Sequence, residues 1–194
     1  MKNRIITISR QFGSGGRTIG KMLATKLGIP CYDRELIGMF AEESGFSEEY
    51  IRSNSEHTMK KGLLAEIFSD RVYDTPYTQD VLWDVQRKVI QDLAEKGPCV
   101  IVGRGADYIL KDREDCLRVY IHADEELRAK RVLEVYGETE DPLPKRPADK
   151  DKRRCAYYEK YTGCAWGDAD NYHITMDSLA LGLETCVSIL ETLY

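Results

Sequence analysis

A chain of 194 residues, 42% apolar and 31% charged, has the size and composition of one well-buried globular domain. Its net charge of -5 argues against non-specific nucleic-acid binding or docking on acidic membranes as the main task. No apolar run reaches the length of a membrane span, and the stretch 5–8 stops at Ser9-Arg10, too short for a signal-peptide core.

Cys31, Cys99, Cys116, Cys155, Cys164 and Cys186 are dispersed, with no C-x-x-C pair and three histidines in the chain. That spacing argues against structural zinc and for reduced thiols in the cytoplasm.

Residues 5–8 (Ile-Ile-Thr-Ile) form a β-branched run, as expected of a strand buried on both faces. Ile19, Met22, Leu23 and Leu27 then recur at helical spacing until Gly28-Ile29-Pro30 ends the helix. A second strand is expected over 29–32, followed by a helix from about Asp33. Ser47 is placed to cap a short helix, whereas 52–62 is polar, without clear periodicity, and reads as a mobile loop.

Val81, Leu82, Val85, Val89 and Leu93 mark a helix stopped by Gly97-Pro98. Strands are predicted over 99–102 and 117–121, with Asp124-Glu125-Glu126 opening the next helix. Residues 137–152, rich in charge and proline, read as an exposed excursion. A helix over 151–161, a strand over 172–176 and a final helix carrying Leu183, Cys186, Val187 and Leu190 complete the chain. Strands alternating with helices predict a single α/β domain, a parallel sheet covered on both faces in three layers.

Between the first strand and first helix stands Gly13-Ser14-Gly15-Gly16-Arg17-Thr18. Ligands of such folds bind beyond the carboxyl ends of the strands. Glycines let the backbone approach a phosphate, and the N–H groups of the following helix favour an anion. Arg17 adds a positive charge, and Thr18 a hydroxyl able to ligate magnesium. A purely structural turn is the plain alternative. A dinucleotide site is another: Gly13-x-Gly15 begins G-x-G-x-x-G, with Asp33 about 20 residues on, where a ribose contact is expected.

The segments 8–20 (Ile-Ser-Arg-Gln-Phe-Gly-Ser-Gly-Gly-Arg-Thr-Ile-Gly) and 32–37 (Tyr-Asp-Arg-Glu-Leu-Ile) resemble the cytidylate kinase-like family of P-loop nucleoside monophosphate kinase relatives. So do 97–108, Arg128-Ala129-Lys130-Arg131, Asp151-Lys152-Arg153-Arg154 and 157–168, in order along the chain.

The resemblance implies a P-loop NTPase fold with a parallel sheet, an acceptor-binding region over 34–80 and a helical, basic lid over 137–165. It implies ATP as donor with Mg²⁺, and CMP or dCMP as first acceptors. By position, Gly13, Ser14, Gly15, Gly16, Arg17 and Thr18 would hold the donor phosphates, with Thr18 on the nucleotide-borne magnesium. Asp33, Arg34 and Arg104 would lie near the acceptor, and Arg128, Arg131, Asp151 and Arg154 near the transferring group, with Arg17 a further catalytic candidate. The partners implied are a nucleotide and a small acceptor, with no nucleic acid and no membrane.

Three positions depart from the pattern of authentic cytidylate kinases. Gly16 stands where related enzymes carry the loop lysine, Arg10 replaces their first glycine, and Gly105 replaces an acidic residue. A nucleotide-binding regulator with little turnover is therefore the rival reading.

Arg128 and Arg131, three apart on a helix, can face one site, and Arg154 follows the excursion as a closing lid would. Asp151 has three open roles: orienting Arg154, holding the acceptor, or aiding proton transfer. Tyr157, Tyr158 and Tyr161 read as helix packing and Trp166 as an apolar anchor. Asp33 serves either the acceptor or the N-terminus of its helix.

Overall fold

The computed structural model describes residues 4–54, 76–137 and 145–194. Most of the expected loop at 52–62 and the residues 138–144 of the expected excursion lie outside these.

Five strands are present: β1 (Ile5–Arg10), β2 (Cys31–Tyr32), β3 (Cys99–Val102), β4 (Cys116–His122) and β5 (Ile174–Asp177). They form one sheet in the order β2-β3-β1-β4-β5, every neighbouring pair parallel. Side chains alternate across it. Ile5, Cys99, Ile101 and Cys116 join the core on one face. Ile6, Ile8, Val100, Val102, Leu117, Val119 and Ile121 join the core on the other. Burial on both faces explains why these strands read as continuous apolar runs. Each fully buried isoleucine contributes roughly 1.5–3 kcal/mol.

Helices α1 (Gly16–Leu27) and α9 (Leu183–Leu193) cover the second face. On the first face lie α2 (Glu35–Ser44), α3 (Glu48–Asn54), α4 (Pro76–Lys96) and α5 (Ala106–Ile109). Helix α6 (Glu125–Tyr136) opens on Asp124, whose carboxylate accepts from the amides of Glu126 and Leu127. The remaining helices are α7 (Lys145–Thr162) and the short α8 (Ser178–Leu181).

The order β2-β3-β1-β4-β5 overturns the dinucleotide reading. In that fold the second strand lies beside the first, in the order 3-2-1-4, whereas here β3 separates β1 from β2.

Two boundaries also differ from expectation. Helix α3 runs on to Asn54 and includes Arg52, which the sequence reading gave to a loop. Helix α7 begins at Lys145, so the end of the expected excursion is helical. Pro147 is compatible with this because a first-turn residue needs no intrahelical N–H bond.

The aromatic residues of α7 pack rather than line an open surface. Tyr157 and Tyr158 are buried, and Tyr161 stacks on Trp83 with ring centroids 4.9 Å apart. Trp166 meets the Tyr120 ring edge-on at 5.5 Å and donates its indole N–H to the Ser9 hydroxyl at 3.3 Å.

Candidate active site

Because every strand runs the same way, the turns after β1 and β3 emerge at one edge of the sheet. The turn after β1 is held from below and behind. Gln11 N–H donates to the Ile121 carbonyl at 2.9 Å, and the Ser14 hydroxyl lies 2.9 Å from the Gln11 carbonyl and 3.2 Å from that of Ile121. Ser178 donates to the Ser14 carbonyl from the start of α8. Ser14 thus anchors the turn with a fully buried side chain rather than presenting its hydroxyl to a ligand.

Gly13 and Gly15 have φ of +85° and +81°, where a β-carbon is strained. Space is also short, since a Cβ on Gly13 would stand 2.8 Å from the Arg128 carbonyl. Gly15 caps α1 without any side-chain partner for the helix amides. The first turn of α1 therefore offers N–H groups and a helix dipole to an anion.

Over this turn opens a cleft of about 380 Å³, lined by Gly13, Gly15, Gly16, Arg17 and Thr18 on the loop side. That volume suits a small-molecule site. Seven arginines and Lys150 line it, against the single carboxylate of Asp33. Such a concentration of cations in a chain of net charge -5 gives the cleft a lining that attracts anions.

Asp33 and Arg34 reach the cleft together from the start of α2. Helix α2 begins at Glu35 with Arg34 as its N-cap and no side-chain cap, so Asp33 does not serve as the cap. Its carboxylate is instead ion-paired with the Arg17 guanidinium. Arg17 is thereby directed at the Asp33 side of the cleft. Arg104 enters from the turn after β3 and is the one non-glycine residue of positive φ (+61°) among those described. A strained backbone at a cleft residue is a common mark of function.

The four basic and acidic residues expected at the transfer site divide into two tiers. Arg131 lines the cleft, donating to the Thr18 hydroxyl at 3.1 Å. Arg154 lines it too, donating to the Arg10 carbonyl at 2.9 Å with its guanidinium 5.6 Å from the centre of the Phe12 ring. Arg128 is turned away from the cleft and buried. It donates to the carbonyls of Ala123 (3.1 Å) and Phe12 (3.0 Å) and to Asp151 at 2.6 Å.

Asp151 also accepts from the Phe12 amide at 2.7 Å and from Arg154 at 3.4 Å. Burial pushes its carboxyl above the ordinary value, against the opposing pull of the Phe12 amide, Arg154 and Arg128. Its contacts are thus with Arg128, the Phe12 amide and, at greater length, Arg154.

Three cationic cleft residues were not among those expected from the sequence: Arg10, Arg52 and Lys150. Arg10 was legible only as a departure from the loop pattern. Arg52 and Lys150 sit in polar stretches where nothing distinguishes a cleft residue from a solvated one.

Among the described residues no group of three or more His, Cys, Asp or Glu side chains is arranged to hold a metal. Nor is any described helix long and apolar enough to cross a membrane. All six cysteines are free thiols.

The model of the cytidylate kinase-like family matches residues 5–180 of this chain. A cytidylate kinase of Methanopyrus kandleri is 24% identical over 196 residues, spanning 96% of this chain and 91% of that one. The crystal structure of a protein from Eubacterium ventriosum, described as uncharacterized, shares 27% identity at a TM-score of 0.71, covering 97% and 96% of the two chains. A shikimate kinase of Bacteroides thetaiotaomicron has the same fold at 18% identity and a TM-score of 0.54, again covering 97% and 96%.

Proposed function

The chain belongs to the cytidylate kinase-like family, and on that premise we propose that it transfers the γ-phosphoryl group of ATP to a small anionic acceptor, CMP or dCMP being the first candidates. The observation that carries this reading is the cleft itself: eight cations around a glycine turn and a helix N-terminus, at the edge where the strands end. Phosphoryl transfer asks a protein for alignment and distributed positive charge more than for covalent chemistry.

In this reading the amides of 13–18 cradle the donor phosphates, while Arg131 and Arg154 neutralise charge on the transferring group. Asp33, Arg34 and Arg104 receive the acceptor, whose anionic end meets the two arginines. Asp151 and Arg128 position rather than touch, locking α7 and α6 to the turn through Phe12. The segment 34–80 is the acceptor-binding region and 137–165 the lid.

Magnesium fits the residues present. The Thr18 hydroxyl lines the cleft and accepts one bond from Arg131, leaving a second lone pair for a cation. One protein ligand suffices for Mg²⁺ that keeps most of its waters and binds with nucleotide phosphates. Held there with the nucleotide, magnesium would supply positive charge to offset that of the phosphates. The six free thiols support a reducing compartment, the cytoplasm, as the setting of this activity.

One observation favours the regulator instead. Gly16 has no side chain to replace the loop lysine, and Arg17 is engaged with Asp33. Measuring ADP formation from Mg-ATP across a panel of nucleotide and small-molecule acceptors separates the two. Acceptor-dependent ADP that falls in Arg154→Ala supports the kinase; ATP binding without it from any acceptor supports the regulator.

A further inference from the structure

We propose that Arg10 is the phosphate-binding cation of this site, taking from the opposite end of the turn the place of the missing loop lysine. The inference rests on the phosphotransferase reading and adds to it a residue which that reading leaves unassigned.

Two differences from authentic cytidylate kinases coincide in space. Arg10 stands where the first loop glycine is expected and Gly16 where the lysine is expected. A Cβ built on Gly16 would lie 2.6 Å from the Arg10 Cβ and 3.0 Å from its Cγ. No side chain at 16 can coexist with the arginine stem in that position. The long cationic side chain and the vacant position have exchanged ends of the loop.

The head group is accommodated as closely as the stem. The Arg10 Cζ would be 2.8 Å from a Cβ on Gly103, so glycine at the tip of β3 makes room for the guanidinium. This places the charge between the tips of β1 and β3, on the wall of the cleft it shares with the glycine turn and Arg104. Arg154 donates to the Arg10 carbonyl at 2.9 Å, which fixes the backbone from which the side chain springs. Arg17, the neighbouring alternative, points its guanidinium at Asp33. A strut joining two strand tips needs no access to the cleft, which Arg10 lines.

The test is the affinity for Mg-ATP and for tripolyphosphate of wild type, Arg10→Met and the double variant Arg10→Gly/Gly16→Lys, each checked for folding by its melting curve. Arg10→Met is expected to weaken both ligands roughly 10- to 100-fold, the scale of a lost charged hydrogen bond. The double variant is expected to bind within about threefold of wild type, because lysine serves the same phosphates from position 16. A folded Arg10→Met that binds as wild type does, or a folded double variant no better than Arg10→Met, overturns the inference.

Co-crystallising wild type with a non-hydrolysable Mg-ATP analogue requires no variant to fold. A guanidinium nitrogen within about 3.2 Å of a β- or γ-phosphate oxygen supports the assignment, and a guanidinium out of hydrogen-bonding reach refutes it. Failure of wild type to bind ATP or tripolyphosphate removes the phosphotransferase reading as well, whereas tight binding that ignores Arg10 removes the inference alone.

Discussion

The Asp151 carboxylate on α7 accepts a 2.7 Å hydrogen bond from the backbone amide of Phe12, which ties the helix of the proposed lid to the glycine turn. Arg128 closes the same connection by donating both to Asp151 and to the Phe12 carbonyl. Phe12 is thus gripped at both ends of its backbone, and its ring stacks on Tyr136 with centroids 5.7 Å apart.

Removing this carboxylate leaves a buried arginine without its counter-charge. Asp151→Ala is expected to cost about 3 kcal/mol in urea unfolding, with Asp151→Asn costing less because an amide oxygen still accepts from Phe12. Stability unchanged in Asp151→Ala would show that α7 does not depend on the connection.

The pairing of Arg17 with Asp33 turns Arg17 toward the side of the cleft proposed for the acceptor. Arg17→Ala should raise the acceptor KM about tenfold while leaving Mg-ATP affinity within about threefold. The opposite pattern, with ATP weakened and the acceptor unaffected, would make Arg17 the substitute for the loop lysine.

Thr18 supplies the hydroxyl proposed for magnesium and accepts from Arg131 at 3.1 Å. Thr18→Val should lower the affinity for Mg-ATP about tenfold but leave the weaker binding of ATP in EDTA nearly unchanged. Equal losses with and without the metal would indicate that the residue serves the fold or Arg131 instead.

Asp107 is fully enclosed, accepts from the Tyr158 hydroxyl at 2.8 Å and has Arg118 and Arg10 as its charged neighbours. Burial raises its carboxyl to about 6, against the opposing hydrogen bond from Tyr158. Between about pH 4 and that value the folded protein binds more protons than the unfolded chain, so stability falls as pH rises through the window and this effect is constant above it. In Asp107→Asn the slope should disappear, amounting to roughly 1–3 kcal/mol relative to wild type across the window. Parallel pH–stability curves for the two proteins would contradict the burial effect.

Much of the fold was legible because burial on both faces of a parallel sheet leaves an unbroken apolar run. Residues 5–8 and 99–102 announced β1 and β3, and Leu82, Val89 and Leu93 announced the buried face of α4. Strand order was not legible, since it depends on which crossover each helix makes, and it was the order that removed the dinucleotide reading. The glycine turn and the arginines around it could be picked out from spacing and resemblance. What their side chains do could not. Arg128 and Arg131 share a helix face, yet Arg128 is buried against Asp151 whereas Arg131 lines the cleft. Arg17 meets Asp33 across the length of α1, a turn and β2, and Arg10 fills the space at Gly16 through a packing relation that no local pattern encodes.

The central claim is that this cleft moves a phosphoryl group rather than only holding nucleotide. Incubation of wild type and Arg154→Ala with γ-³²P-labelled Mg-ATP and CMP, dCMP and other small anionic acceptors tests it most directly. Label is expected on at least one acceptor with wild type, falling by roughly a hundredfold or more in Arg154→Ala. ATP bound by the cleft with no label reaching any acceptor would contradict it.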